Sequence, residues 1–257
     1  MLKNKWTGIG LAFQFFTIMP IPKQLDLTKK TVTHMFQFLP WLGALFGAIV
    51  AFLYYGLQQT ELSPLFIGFV LVMAFIIMTG GLHLDGFVDM GDAYFSYRDL
   101  KKRQEILDDP RIGAFGAMAL LFLVLTKIIV MTELVTQQKL AYAMFVFVPF
   151  VVRAALGFYI VITPPSKEKG LGYFFRTHIL TKPYMWMTIL SLVVGTAAVI
   201  YVTNNVHALI VVLIVMLFVV LYKKWTMKNF GGASGDLYGA WVEGMEAIVW
   251  IILLCLN

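Results

Sequence analysis

The chain has 257 residues, of which 60% are hydrophobic and 13% charged, where an ordinary soluble domain carries about 25% charged residues. That balance excludes a soluble globular protein and assigns the chain to a lipid bilayer. The net charge of +6 reads as loop bias and attraction to anionic lipid rather than nucleic-acid binding, and a lone Cys255 excludes an intrachain disulfide framework.

No Ser/Pro/Gly-rich linker, internal repeat or low-complexity tract divides the sequence, so residues 1–257 are expected to form one membrane domain. The first stretch, MLKNKWTGIGLAFQFFTIMP, places Lys3 and Lys5 before an apolar run in the manner of a signal sequence. No small-residue cleavage site follows, so the segment is expected to be retained. Its core, Trp6–Met19, is shorter than the roughly 20 residues a span needs, which points to an interfacial or re-entrant segment.

Seven later segments are apolar enough to span: about 36–57, 65–79, 113–131, 140–162, 184–203, 208–222 and 239–256. Backbone groups in lipid must be satisfied internally, and no alternating barrel pattern is present. The expected fold is therefore all-α, a polytopic helical bundle with polar loops at about 80–112, 163–183 and 223–238. Basic residues favour cytoplasmic loops. Lys3, Lys5, Lys23, Lys29 and Lys30 fall on one side with Arg98, Lys101, Lys102, Arg103 and Arg111. Lys167, Lys169, Arg176 and Lys182 join them, as do Lys223, Lys224 and Lys228, whereas the opposite loops offer only Lys139. The N-terminus and all three polar loops are thus expected in the cytoplasm, on a cell-membrane protein.

Seven of the chain's 14 acidic residues fall between residues 80 and 116. Asp85, Asp89 and Asp92 stand at i, i+4 and i+7, so on a helix their carboxylates share one face. The plainest explanation is a solvated helix end with surface ion pairs. Against it, the run ends an apolar segment, and ionisable groups at membrane depth are usually functional. Hard carboxylate oxygens with scarce His point to Mg²⁺ or Mn²⁺ as the neutralising ion. Mg²⁺ commonly bridges carboxylates to phosphate, which implies a phosphate-bearing substrate.

Two further loops supply matching parts. In KNFGGASGDLYGAWVEGMEA, Gly231, Gly232 and Gly235 permit close backbone approach and Ser234 offers a hydroxyl. Asp236 opens the final helix, with Glu243 two turns further along. A glycine-rich turn at a helix start suits a phosphate, although positive φ alone also explains glycine. In TPPSKEKGLGYFFRTH, Lys167, Lys169 and Arg176 either clamp anions or merely follow the loop bias. Arg153 and Lys127 lie inside expected spans, where each either snorkels, pairs with a buried acid or, for Arg153, reaches substrate. Gly43 and Gly47 form a GxxxG, the usual mark of helix packing.

Taken together, GGLHLDGFVDMGDA at 80–93, EILDDPRIGAFG at 105–116 and GGASGDLYGAWVE at 231–243 resemble the cobalamin synthase family, the adenosylcobinamide-GDP ribazoletransferases. FLPWLGALFG at 38–47 and PPSKEKGLG at 164–172 extend the resemblance over nearly the whole chain. It departs at Thr17-Ile18-Met19-Pro20, which lacks the usual basic residue, and at Pro165 and Lys167, where a Tyr and an Arg are usual.

The resemblance implies a Mg²⁺-dependent transfer. The ribose 5′-hydroxyl of α-ribazole, or the 5′-phosphate form, attacks the cobinamide-linked phosphorus of adenosylcobinamide-GDP and releases GMP. It further implies that Asp85, Asp89, Asp92 and Asp236 hold metal and diphosphate, with Asp89 as general base. Arg111, inside the matching RIGAFG, would offset charge together with Lys167 and Arg176, and His83 would bond phosphate or ribose. Whether the chain acts alone, as a homo-oligomer or with other corrinoid-assembly enzymes is left open. Two other readings are a CDP-alcohol-type phosphotransferase, whose Asp-Gly-Ala-Arg pattern FVDMGDAYF lacks, and a transporter, which would gather polar residues at mid-span.

Overall fold

The computed structural model describes residues 2–96, 99–138 and 141–256; Arg98, Lys139 and the first residue of the span expected at 140–162 lie outside them. The first half of the chain holds α1 (Leu2–Phe16), α2 (Lys29–Leu57), α3 (Pro64–Thr79), α4 (Leu82–Ser96) and the short α5 (Leu100–Ile106). The second holds α6 (Ala114–Gln137), α7 (Tyr142–Ile162), α8 (Gly170–His178), α9 (Thr181–Thr203), α10 (His207–Phe230) and α11 (Gly235–Leu256). No strand forms among the described residues. The chain builds the all-α membrane bundle expected from its composition.

Among the described residues, α2, α6, α7, α9, α10 and α11 are each long and apolar enough to cross a bilayer. The bent pair α3 and α4 counts as a seventh crossing if taken as one span. At 15 residues, α1 is about 22 Å long, too short for a hydrocarbon core of about 30 Å. It lies instead against α2, where Gly8 faces His34. The stretch read as a polar loop at 80–112 is itself largely helical, as α4 and α5.

Local sequence signals set the helix ends. Thr28 and Thr31 form a reciprocal capping box at the start of α2, and Ser63 followed by Pro64 starts α3, each satisfying amides that a helix leaves unpaired. Gly80 and Gly81 then both adopt positive φ, 63° and 74°. The Gly80 and Gly81 amides donate to Ile77 and Ile76, closing α3 in the left-handed turn that glycine allows at lowest cost. The chain leaves this turn at 95° to α3. The GG of GGLHLDG thus aims α4 across the bundle.

Glycines also set how closely helices approach. At Gly43 a Cβ would lie 2.5 Å from the Pro149 carbonyl oxygen, and Gly47 meets the Phe145 carbonyl in the same way. The GxxxG is a packing seam between α2 and α7, as its spacing suggests. At Gly86 a Cβ would lie 2.6 Å from the Asp236 carbonyl oxygen, and at Gly239 it would lie 2.8 Å from that of His83. Here α4 and α11 touch backbone to backbone.

The charges inside the spans pair with one another. Arg153 on α7 donates to Glu246 on α11 at 2.6 Å and to the Pro149 carbonyl at 3.2 Å. Lys127 on α6 is hydrogen-bonded to Glu243 and lies 3.8 Å from Glu246. All four side chains are buried, two cations against two anions. A buried charge tolerates low dielectric only when it is paired, so this network ties α6 and α7 to α11. Lys127→Met should leave Glu243 without its partner and cost about 3–5 kcal/mol, read as a lowered unfolding temperature in detergent. The double variant Lys127→Met/Glu243→Met should recover most of that loss; a double variant no more stable than the single would show that the pair is not what holds the helices.

Candidate active site at the meeting of three loops

The loop after α7 and the loop before α11 are zipped together by their backbones. The Ala233 amide donates to Pro164 at 2.9 Å and the Ser166 amide to Ala233 at 2.8 Å, the pairing of a parallel bridge. Gly232, at φ 155°, has no room for a side chain, because a Cβ would lie 2.5 Å from the Pro164 oxygen. Gly231 closes α10 with φ 76°. These two glycines shape the loop but do not line the cavity beside it. From the third loop, Gln104 donates to the Phe230 carbonyl at 2.8 Å, and Lys167 donates to the Gln104 carbonyl at 2.6 Å and to Asp108 at 2.7 Å.

The three loops and the end of α1 enclose a cavity of about 440 Å³, within the size range of small-molecule sites. His83, Asp85, Lys167, Ser234 and Asp236, all singled out from sequence, line it. Lys169, Gly170 and Gly235 do so as well. The first residues of α4, α8 and α11 therefore reach one space, and helix starts carry partial positive charge and free amides. No side chain caps α8, while Ser234 accepts from the Leu237 amide at 3.3 Å at the start of α11. Three carboxylates, Asp85, Asp108 and Asp236, two ammonium groups and three helix N-termini thus face one cavity.

The aspartates divide their roles. Asp85 is exposed and Asp89 half-buried, and Asp89 lies within the electric field of Asp85, Asp236 and Asp92. Asp236, likewise within reach of Asp85, accepts from the Ser234 hydroxyl at 3.2 Å. Asp92 is buried and turns to α6, accepting from the Gly116 amide at 3.2 Å. It caps a helix whose own N-cap, Gly113, has no side chain to do so. Among the described residues no three His, Cys, Asp or Glu side chains are gathered closely enough to hold a metal by themselves.

Not every residue chosen from sequence reaches the cavity. Arg111 is exposed and forms a two-point bond to Asp109, Nε at 2.9 Å and a terminal nitrogen at 2.7 Å. Arg153 is committed to Glu246, away from the lining. Arg176 donates to the Val161 carbonyl at 3.0 Å while its Nε has no partner. Glu243 belongs to the ion network. His83 is buried, lines the cavity and has an Nε2 without a partner.

Two groups escaped the sequence reading. Asp108 gathers Lys167 at 2.7 Å and Lys169 at 3.4 Å. The hydrogen bond from Lys167, followed by the charges of both lysines, holds its carboxyl below the ordinary carboxylate range. A carboxyl lowered in this way contributes stability above its unfolded value and loses it only as pH falls through the lowered one. The clasp is therefore complete at neutral pH. Tyr238, inside the GDLYG stretch, lines the cavity with its hydroxyl buried and unpartnered. Its only signal in the sequence is its place two residues after Asp236.

Fold and site define a multi-pass membrane protein with a charged cavity where its loops meet. The chain matches the family described as Cobalamin-5-phosphate synthase over residues 8–254, and it belongs to that family, as a membrane transferase of cobalamin biosynthesis. It is similar to proteins named adenosylcobinamide-GDP ribazoletransferase from Geobacillus kaustophilus strain HTA426, at 33% identity, and Geobacillus sp. strain WCH70, at 32%. Each of these matches covers 100% of this chain and 98% of the relative. The relative of that name from Clostridioides difficile strain 630 is 27% identical over 96% of both chains. No solved structure matches.

The α4–α11 contact is what joins the acidic helix to the serine loop. Gly86→Val should force it apart, costing about 1–3 kcal/mol through overpacking and lowering transferase activity by a larger factor than it lowers the amount of folded protein. Full specific activity in a folded Gly86→Val variant would show that this approach does not set the site.

Proposed function

We propose that the protein joins α-ribazole, or its 5′-phosphate, to adenosylcobinamide-GDP, giving adenosylcobalamin or its 5′-phosphate and releasing GMP at the cytoplasmic face of the cell membrane. The observation that carries this reading is the meeting of Asp85, Asp236, Lys167 and three helix N-termini around one cavity. A substrate with a diphosphate and a basic-residue clamp fits that arrangement. The 5′ position is occupied in the phosphate form, so the nucleophile common to both forms is another ribose hydroxyl and not the 5′-hydroxyl expected from the resemblance.

The chemistry is phosphoryl transfer, which depends chiefly on positioning and on charge. An O–P bond forms between the ribose oxygen and the cobinamide-linked phosphorus, the P–O bond to GMP breaks, and the hydroxyl proton passes to a carboxylate. Asp89, one turn along α4 from Asp85 and in the field of Asp85 and Asp236 though not itself in the cavity lining, is the proposed acceptor. The amides that open α8 and α11 and the ammonium groups of Lys167 and Lys169 orient the diphosphate oxygens. His83 Nε2 serves a substrate hydroxyl. The carboxylates fit Mg²⁺, because such an ion keeps water and phosphate ligands and needs only one or two protein oxygens. Asp85 and Asp236 would hold it, and when bound it would neutralise charge on the leaving nucleotide. Asp92, engaged at α6, is assigned a supporting part.

Purified protein given both substrates and Mg²⁺ should release GMP, followed chromatographically. Asp85→Asn, Asp89→Asn and Asp236→Asn should each lower that rate roughly hundredfold or more, with little change in unfolding temperature. Unchanged rates and unchanged Mg²⁺ dependence in all three would return the acids to an ordinary solvated surface. For orientation, Lys102→Cys and Gln137→Cys in a Cys255→Ser background should react differently in intact cells. Position 137 should label from outside and position 102 only after permeabilisation, and the reverse pattern would invert the topology.

A further inference from the structure

The cavity lining is of two kinds, charged and aromatic, and apart from His83 the phosphate chemistry uses only the charged one. Besides the carboxylates and lysines, the lining carries a contiguous run of aromatic rings. Phe15 meets Phe175 edge-on at 5.4 Å, Phe175 meets Phe36 at 5.3 Å, Phe36 meets Phe16 at 5.9 Å, and Phe16 stacks on His83 at 6.1 Å with 23° between the rings. All five rings line the cavity. They come from α1, α2, α4 and α8, so four elements with no shared sequence signal build one surface.

Tyr238 of α11 lines the same cavity and is 7% exposed. Its hydroxyl has no hydrogen-bond partner. A buried hydroxyl without a partner carries a desolvation cost, and such groups in native proteins call for an explanation. The other tyrosines of this core do not share the condition: Tyr159 donates to Thr226 at 3.1 Å and Tyr222 to the Leu237 carbonyl at 2.8 Å. Tyr238 is therefore singled out by its place at the cavity.

Resting on the transferase reading, we propose that the aromatic lining of the cavity receives the flat base of the nucleoside substrate, and that the Tyr238 hydroxyl donates a hydrogen bond to the base's in-plane ring nitrogen. Face and edge contacts from the phenylalanines suit a planar heterocycle. One buried donor suits a benzimidazole, whose ring offers a single unsubstituted nitrogen. The phosphates on the charged groups and the base on the rings would together fix the ribose. Tyr238 is a specificity residue here and takes no part in bond making.

The test compares two ribosides of the same shape, dimethylbenzimidazole riboside and dimethylindole riboside, in which a C–H replaces the ring nitrogen. Titration calorimetry on the full-length protein in nanodiscs should show wild type binding the benzimidazole about tenfold more tightly, the size of one buried hydrogen bond. Tyr238→Phe should bring the two affinities within about twofold of each other, with adenosylcobinamide-GDP bound as in wild type. Phe175→Leu should weaken both ribosides alike and keep the tenfold preference. Equal binding of the two ribosides by wild type, or a preference that survives in Tyr238→Phe, overturns the base pocket while GMP release by wild type leaves the transferase reading standing. A wild-type protein that binds neither riboside and releases no GMP overturns both.

Discussion

The site depends on one close approach. Gly86 of α4 and Gly239 of α11 let the two backbones touch, and any side chain at either position would hold the helices apart. Because Asp85 and Asp236 adjoin this contact, it sets the distance between carboxylates that the sequence separates by some 150 residues. In a bilayer no hydrophobic drive presses helices together, and small residues are what permit such packing. The close approach is then held from below by the ion network, which fastens α11 to α6 and α7.

Charge is handled in opposite ways at the two depths. In the bundle interior, Lys127, Arg153, Glu243 and Glu246 are balanced two against two, as low dielectric requires. At the loop end, Asp85, Asp89 and Asp236 sit near one another with no cation bonded to any of them among the described residues. Their relief comes from helix N-termini and from a partner that the reaction would bring. The lysines meanwhile are held at the rim by Asp108, a carboxylate outside the helix spans and open to water.

The division of the cavity follows from the same depth. Its charged groups belong to loops and helix starts, and its aromatic rings come from α1, α2, α4 and α8, several of them within the apolar core. The short α1 thus closes one wall of the site, which gives a purpose to a segment that cannot span.

The sequence alone was enough for the class of fold and for several of the polar residues that meet at the cavity. Long apolar runs in lipid leave helices as the way to satisfy the backbone, so the spans were legible, and Gly-Gly and Ser-Pro marked ends where only certain φ values or caps serve. His83, Asp85, Lys167, Ser234 and Asp236 were legible because polar groups are conspicuous in so apolar a chain. Tertiary structure alone decided how such groups are used. Asp92 shares a helical face with Asp85 and Asp89 by spacing, yet the nearness of Gly113 and Gly116 turns it into a cap for another helix. Arg111 was expected at the substrate and Arg153 either there or paired with a buried acid, but Arg153 has Glu246 beside it in a dry interior and Arg111 has Asp109 two residues away at the surface. The aromatic wall and the idle hydroxyl of Tyr238 left no pattern to read, because a phenylalanine in a membrane chain is unremarked until the packing of distant helices places it against a cavity instead of lipid.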